Sequence, residues 1–504
     1  MQISLAKIGR NSIVAGLGML FSGPLSFLVS VWLTRWLGTD QYGVYTLLLT
    51  ISGVVCVFSS MGIPMGVARY IAHYLGLNEF DKAAATFRVL TCIAAVLSVF
   101  STVGLWQISP WIASLLQKPG LDAYLKTIAV TIPALVMQDV WLYTLRGLQK
   151  IGRQTLIEKI AAPVLMAALT LAFFLLHFNL QAYLYGVAAL NYLIAGYLGW
   201  TTWLQFHNSR HRPIQQREVF EWLGYSAPVL LEKLIQLFLV QAGIEIFLIA
   251  RYGTLAEVGI YSFAYRVVPF MMLPASAFSI AFGPTIAALY AQRDTNRLQH
   301  NFAIVNRWIA ILTLPLFLLL VIWSKRILGL SGSQFVSGQF ALCVLASGFL
   351  VDALVGEVRG IMLMTGRSGM FLLNSGGLMV LNLVLNLYLV PKWGITGAAI
   401  AGAISRGLLN LIGLAQVFVF LRIHPFNREY LKTIGAALIA SAVYLLALLV
   451  IPGQGMGEML WRSTISMIAY LSSIVVLGLP KEELSAIGFV RKHTANAGYI
   501  NAPQ

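Results

Sequence analysis

The sequence predicts an all-α polytopic membrane protein with fourteen transmembrane helices. Two observations carry this. Only 10% of the 504 residues are charged while 59% are hydrophobic, whereas a soluble domain needs roughly 25% charged residues to wet its surface. Apolar runs of the roughly 20 residues that cross a bilayer as a helix recur along almost the whole chain. A third observation, an internal duplication, groups these runs into two parallel six-helix lobes followed by two further helices.

Taken in order, the runs between polar breaks predict spans at 11–36, 41–66, 83–107, 122–146, 154–178, 181–206, 220–250, 257–282, 302–323, 335–363, 369–390, 395–421, 430–451 and 459–479. The breaks near Asn179 and Trp393 are the shortest, and they decide the parity. The start from Met1 to Arg10 is basic, and the run after it is too long for the h-region of a cleavable signal, so it is expected to stay as the first helix. Prolines at 24, 64, 133, 163, 228, 269, 274, 284 and 315 fall inside spans, where each removes a backbone donor and can bend its helix. Pro269 and Pro274 mark the eighth span as a bending element.

The formal net charge is +16, from 34 Lys+Arg against 18 Asp+Glu. In a membrane protein this excess sets orientation, because Lys and Arg accumulate in cytoplasmic loops; nucleic acid is not an expected partner. With the N-terminus inside, the clusters Arg146, Lys150, Arg153, Lys159 and Arg210, Arg212, Arg217 all fall on the cytoplasmic side. Both termini are therefore expected in the cytoplasm, with an even number of spans. Cys56, Cys92 and Cys343 lie singly in apolar stretches and suggest neither a disulfide framework nor a metal site.

The duplication shows as Arg35, Gly43, Tyr45 and Tyr74 recurring as Arg251, Gly259, Tyr261 and Tyr290, all 216 residues on. Asp139, Arg146 and Gly147 recur as Asp352, Arg359 and Gly360 at an offset of 213, and Gly152-Arg153 returns as Gly366-Arg367. Six helices per copy is an even number, so the copies enter the membrane in the same sense. The expected organisation is an N-lobe at 1–206, a cytoplasmic linker at 207–217, a C-lobe at 218–421, two more helices at 422–480 and a cytoplasmic tail at 481–504.

Arg35-Trp36-Leu37-Gly38 followed by Tyr42-Gly43-Val44-Tyr45 resembles the opening of the Wzx-type polysaccharide-transporter flippases, members of the multidrug/oligosaccharidyl-lipid/polysaccharide exporter superfamily. The stretch from Ile244 to Ile249, then Val258-Gly259-Ile260-Tyr261, resembles the start of that family's second lobe, with Glu245 where Asp is usual. The resemblance covers nearly the whole chain. It implies two lobes around a central V-shaped cavity and a multi-pass protein of the cell (plasma or inner) membrane. Its implied activity is alternating-access flipping of polyprenyl-diphosphate-linked oligosaccharide for surface polysaccharide assembly. The implied partners are that lipid-linked oligosaccharide, membrane lipids and polysaccharide-assembly proteins. The superfamily's alternatives, a cation-coupled multidrug exporter and a lipid II-type flippase, stay open, and so does a membrane-embedded glycan polymerase or ligase, although the short external loops speak against it.

Ionised side chains at membrane depth cost roughly 2.5–3.5 kcal/mol on insertion scales and so face a cavity or a partner. Four cations are the candidate substrate-binding residues: Lys233, Arg266, Arg69 and Arg406. Lys233 suits a diphosphate as a compact mobile charge, and the Arg266 fork can take two phosphate oxygens at once. Arg406 follows the small-residue run from Gly397 to Ala403, which suits tight packing as well as function; Arg69 also reads as a positive-inside anchor. Glu232 points about 100° away from Lys233 on a helix. Glu232 and Glu245 are the candidate coupling or charge-balancing acids, with Glu245 placed to neutralise Arg266 or to carry a proton. Asp139 with Arg146, and Asp352 with Arg359, lie two turns apart and are expected to bridge to neighbouring helices as structural links. No P-loop, HExxH or paired-cysteine motif is present. No catalytic residue, cofactor or bound metal is expected beyond a coupling ion, H+ or Na+.

Overall fold

The computed structural model describes residues 5–210, 212, 215–451, 453 and 455–476. The expected tail at 481–504 and residues 211, 213 and 214 of the expected linker lie outside these. Among the described residues every regular element is helical. The first half of the chain, named the N-lobe below, comprises α1 (Leu5–Ser60), α2 (Ile63–Gly76), α3 (Phe80–Leu116), α4 (Leu121–Ala129), α5 (Ile132–Gly147), α6 (Ile151–Thr155), α7 (Ala162–Leu175) and α8 (Leu180–Phe206). The stretch after it, named the C-lobe, comprises α9 (Gln216–Ile235), α10 (Gly243–Tyr252), α11 (Leu255–Val267), α12 (Leu273–Ala291), α13 (Thr295–Gly329), α14 (Gln339–Val355), α15 (Val358–Met364) and α16 (Ser368–Leu421). Two helices, α17 (Arg428–Val450) and α18 (Met456–Val476), pack on each other and on α13.

Among the described residues ten helices are long and apolar enough to cross a membrane, or eleven if the bent pair Gln216–Phe238 and Gly243–Tyr252 forms one span. Two of them are hairpins. In α1, Gly38 adopts φ 69°, ψ −173°. Gly18 lies against Thr155 and Lys159, while Ser52 and Cys56 share a chamber wall with Ile157 and Glu158. On a straight helix Gly18 and Ser52 would stand about 51 Å apart at 1.5 Å per residue, so the chain reverses at Gly38. In α16, Asn374 and Gln416 exchange amide hydrogen bonds of 2.7 and 3.2 Å. Those residues are 42 apart in sequence, about 63 Å if straight, so this helix folds back at Gly394 (φ 52°). The break expected near Trp393 is this turn. The break near Asn179 is equally real: its side chain caps α8, accepting from the Ala182 amide at 2.8 Å.

Six expected spans are interrupted, three of them, 41–66, 122–146 and 154–178, by the turn at Met61–Gly62, the turn at Val130–Thr131 and a π-helical turn at Leu156–Ala161. The stretch 220–250 passes through a π-helical segment at Gln236–Val240, and its two helices meet at 52°. The eighth span narrows to a 3₁₀ segment at Val268–Met272, carrying Pro269, just before Pro274. The stretch 335–363 breaks at Gly356 (φ 83°), where a Cβ would fall on the Asn306 side chain. Asn306 Oδ1 accepts from the Glu357 amide at 3.2 Å, and its amide reaches the Val355 carbonyl at 3.4 Å. Asp352 and Arg359 therefore do not share a helix face, contrary to the two-turn spacing.

Large apolar side chains point outward across the surface, Phe100 at 77% and Leu449 at 80% exposure among them. Such a surface would drive association in water; in a bilayer it faces lipid.

The lobes meet at both ends of the path from Gly38 through α2. At the Gly38 end, Gly43 and Gly259 let the backbones of α1 and α11 touch, as small residues allow in membrane helices. Arg35 Nε donates to the Leu330 carbonyl at 2.7 Å, Thr39 bonds Gln334 at 3.0 Å, and Lys118 Nζ donates to the Gly253 carbonyl at 2.7 Å. At the α2 end, Tyr70 Oη donates to the Glu221 carbonyl at 3.2 Å and Trp222 Nε1 to Tyr74 Oη at 3.3 Å.

Candidate functional site

Helix α9 stands between two chambers. The larger, about 470 Å³, is walled by α9, α12, α14, α15 and both arms of α16. The smaller, about 400 Å³, is walled by α1, α5, α7 and α8, and by the π-helical turn at Leu156–Ala161. Glu232 and Lys233 diverge as adjacent helical residues must. Glu232 lines the larger chamber and meets Arg359 at 3.6 Å. Lys233 turns towards the N-lobe and meets Asp139, a wall residue of the smaller chamber, at 3.8 Å. Its ammonium also lies 5.7 Å from the centre of the Tyr143 ring. Lys233 is thus a lobe-crossing ion pair rather than a free cation, and Asp139 is a bridge between lobes as well as between helices.

Arg406 is likewise held. Its guanidinium meets Asp352 at 3.3 Å and Tyr265 Oη at 3.2 Å, and it stacks 3.7 Å over the Phe349 ring. Pairing offsets the cost of a charge at membrane depth, so the small-residue run before Arg406 serves packing around this pair. Asp352 reaches α16 through Arg406. Arg359 links to α9 instead of sharing a face with Asp352. Arg146 makes no ion pair among the described residues; it lies 5.2 Å from its own neighbour Tyr143, because α5 ends one residue later and leaves the side chain exposed.

Arg69 sits 4.1 Å over the Tyr225 ring of α9, next to the Tyr70 and Trp222 contacts. A cation over an aromatic face is attracted by the ring quadrupole, so Arg69 serves the clamp between α2 and α9.

Arg266 differs from the other three. It is exposed, and it makes no ion pair among the described residues. Its charge acts on the phenolic groups of Tyr42, Tyr45 and Tyr183, all from the N-lobe. A guanidinium facing hydroxyl donors, with no carboxylate to neutralise it, is a ready acceptor of an anion. Directly after it in sequence, Val267, Phe270 and Met271 line an apolar groove of about 640 Å³, with Trp323 and Met467 also in its lining.

Glu245 does not neutralise Arg266. It is buried in the C-lobe, where Oε1 accepts from Asn382 Nδ2 at 3.1 Å and Oε2 has no hydrogen-bond partner. Asn386 bonds Asn382 in turn, at 2.9 Å to its carbonyl, and Tyr261 and Arg406 complete the electrostatic surroundings. Sequence reasoning passed over Asn382 and Asn386, although two amides four residues apart in an apolar run are the sign of a polar face turned inward. It also gave no role to Glu357, which accepts from Ser279 and lines the larger chamber, or to Arg307, which is buried and reaches Glu429 at 3.9 Å.

Comparison with known proteins places this architecture. A family model described as polysaccharide biosynthesis protein matches residues 32–337. The chain is 24% identical over 411 residues to the "Probable low-salt glycan biosynthesis flippase Agl15" of Haloferax volcanii, covering 79% of this chain and 81% of that protein. It is 30% identical over 169 residues to the "Probable flippase AglR" of the same organism, 31% of this chain and 34% of that one. Among solved structures it is similar to the lipid II flippase MurJ in an inward closed conformation, with a TM-score of 0.72, 12% identity and coverage of 92% and 98%. It is also similar to an inward-facing multidrug resistance transporter of the MATE family of the MOP superfamily, with a TM-score of 0.66, 15% identity and coverage of 82% and 98%.

Proposed function

The chain belongs to the polysaccharide biosynthesis protein family, and from that premise we propose that it flips polyprenyl-diphosphate-linked oligosaccharide across the cell membrane for surface polysaccharide assembly. The observation that carries this is the stretch from α11 through the 3₁₀ segment into α12, which contributes Arg266 as an anion-accepting cation, Val267, Phe270 and Met271 to an apolar groove, and Ser276 and Ser279 to a polar chamber. Those chemistries match the diphosphate, the lipid tail and the sugars of the substrate. The relatives named as flippases support the reading.

In this scheme fourteen spans carry both termini to the cytoplasm, with lobes at 1–206 and 218–421 joined by the linker 207–217, and polysaccharide-assembly proteins receive the product. Alternating access follows if the contacts at the Gly38 end and the α2 end open in turn. The driving ion, H+ or Na+, occupies Glu245 beside Asn382. With that site neutralised, Glu245→Gln is expected to abolish acceleration by an ion gradient, while downhill flipping stays within about threefold. Measuring flipping in vesicles with and without imposed H+ and Na+ gradients checks this; full gradient response in the variant removes Glu245 from coupling.

A second reading has its own support. The larger chamber holds three carboxylates, Glu232, Asp352 and Glu357, against two guanidinium groups, Arg359 and Arg406. An acid excess suits a cationic drug exporter. The purified chain in proteoliposomes decides: a fluorescent polyprenyl-diphosphate oligosaccharide should cross at least tenfold faster than in empty vesicles, and a lipophilic cation such as ethidium should not accumulate. The reverse pattern overturns the flippase reading.

A further inference from the structure

The larger chamber is unsuited to the diphosphate, since both its arginines already hold carboxylates. We propose that it is the subsite for the sugars of the transported lipid and that it admits neutral or amino sugars while rejecting acidic ones. This rests on the flippase reading above.

The lining matches a sugar in kind. Sugar hydroxyls donate and accept at once, whereas a carboxylate only accepts and a guanidinium only donates. The chamber offers both sorts side by side, Glu232 with Arg359 at 3.6 Å and Asp352 with Arg406 at 3.3 Å, each pair holding its planar groups in place. Between them stand Met272, Leu363 and Leu409, apolar walls for the C–H faces of the rings. At about 470 Å³ the chamber lies within the roughly 300–1,000 Å³ of small-molecule sites, enough for a short run of sugar rings.

Its charge makes the choice. Three carboxylates face two guanidinium groups, a formal −1. Glu357, at the start of α15, has no arginine at ion-pair distance among the described residues and accepts from Ser279 of α12. A uronic acid entering here meets that excess while both arginines are engaged. At an effective dielectric of about 20, one like charge within about 10 Å lowers affinity roughly fifteenfold or more. An ammonium on an amino sugar gains by the same interaction.

The experiment compares two fluorescent polyprenyl diphosphates in proteoliposomes, one carrying a neutral hexose trisaccharide, the other ending in glucuronate. The wild-type chain should flip the neutral lipid at least tenfold faster, and Glu357→Gln, which keeps the shape and the contact with Ser279, should bring the ratio towards parity. The ratio is taken within each preparation, so a poorly folded fraction cancels. Equal wild-type rates, or a ratio unmoved in Glu357→Gln, overturn the proposal while leaving a flippase. If the wild type moves neither lipid, the flippase reading falls and this subsite with it.

Discussion

Replacing Arg266 with Ala is expected to slow flipping of a polyprenyl-diphosphate oligosaccharide by at least about a hundredfold, while the protein still inserts and folds. Hydrogen bonds to charged groups contribute about 1.5–3 kcal/mol each, and Arg can offer two to a diphosphate. Losing both raises the barrier by roughly 3–6 kcal/mol, with 1.36 kcal/mol per tenfold in rate. Folding should be spared because Arg266 is exposed and no carboxylate depends on it among the described residues. Arg266→Lys should recover part of the rate, since it restores the charge but not the fork. Rates of the Ala variant within threefold of wild type would place the diphosphate elsewhere. Lys233→Ala is a less clean test, because it also strands Asp139, and its effect mixes lost pairing with lost binding.

Gly43→Val should be the most disruptive packing change in the molecule. A Cβ at Gly43 falls on the Leu255 carbonyl, and one at Gly259 falls on the Thr39 carbonyl. Both obstacles are backbone, so no rotamer change relieves them; α1 and α11 must separate. Overpacking of this kind typically costs about 1–3 kcal/mol, and here it acts on the lobe contact. The neighbouring Thr39–Gln334 and Arg35–Leu330 bonds should part with it. A short bifunctional thiol-reactive reagent should bridge cysteines placed at 39 and 334 in the parent and at least fivefold less in the Gly43→Val background, with transport lost. Unchanged crosslinking would show that the glycine contact does not hold this end closed.

What the sequence by itself determined about this protein is its class, a helical membrane protein. Apolar run length is a local property with a fixed geometric meaning, so membrane helices could be read directly, including the short turns at Asn179 and near Trp393. The duplicated Gly43 and Gly259, found as repeat partners, meet in space. The buried Glu245 was also legible, since a charge in an apolar run has to face something, whereas the buried Arg307 was passed over. What each charge faces was decided by tertiary structure alone. Lys233 and Asp139 are 94 residues apart, and Arg406 and Asp352 54, so no spacing rule could join them. The α-helical period even misled at Asp352 and Arg359, because it assumes an unbroken helix, and Asn306 holds the break at Gly356 from a third helix. Four candidate cations looked alike in one dimension. Only packing engaged three of them, with an acid or an aromatic ring, and left Arg266 beside phenols and an apolar groove.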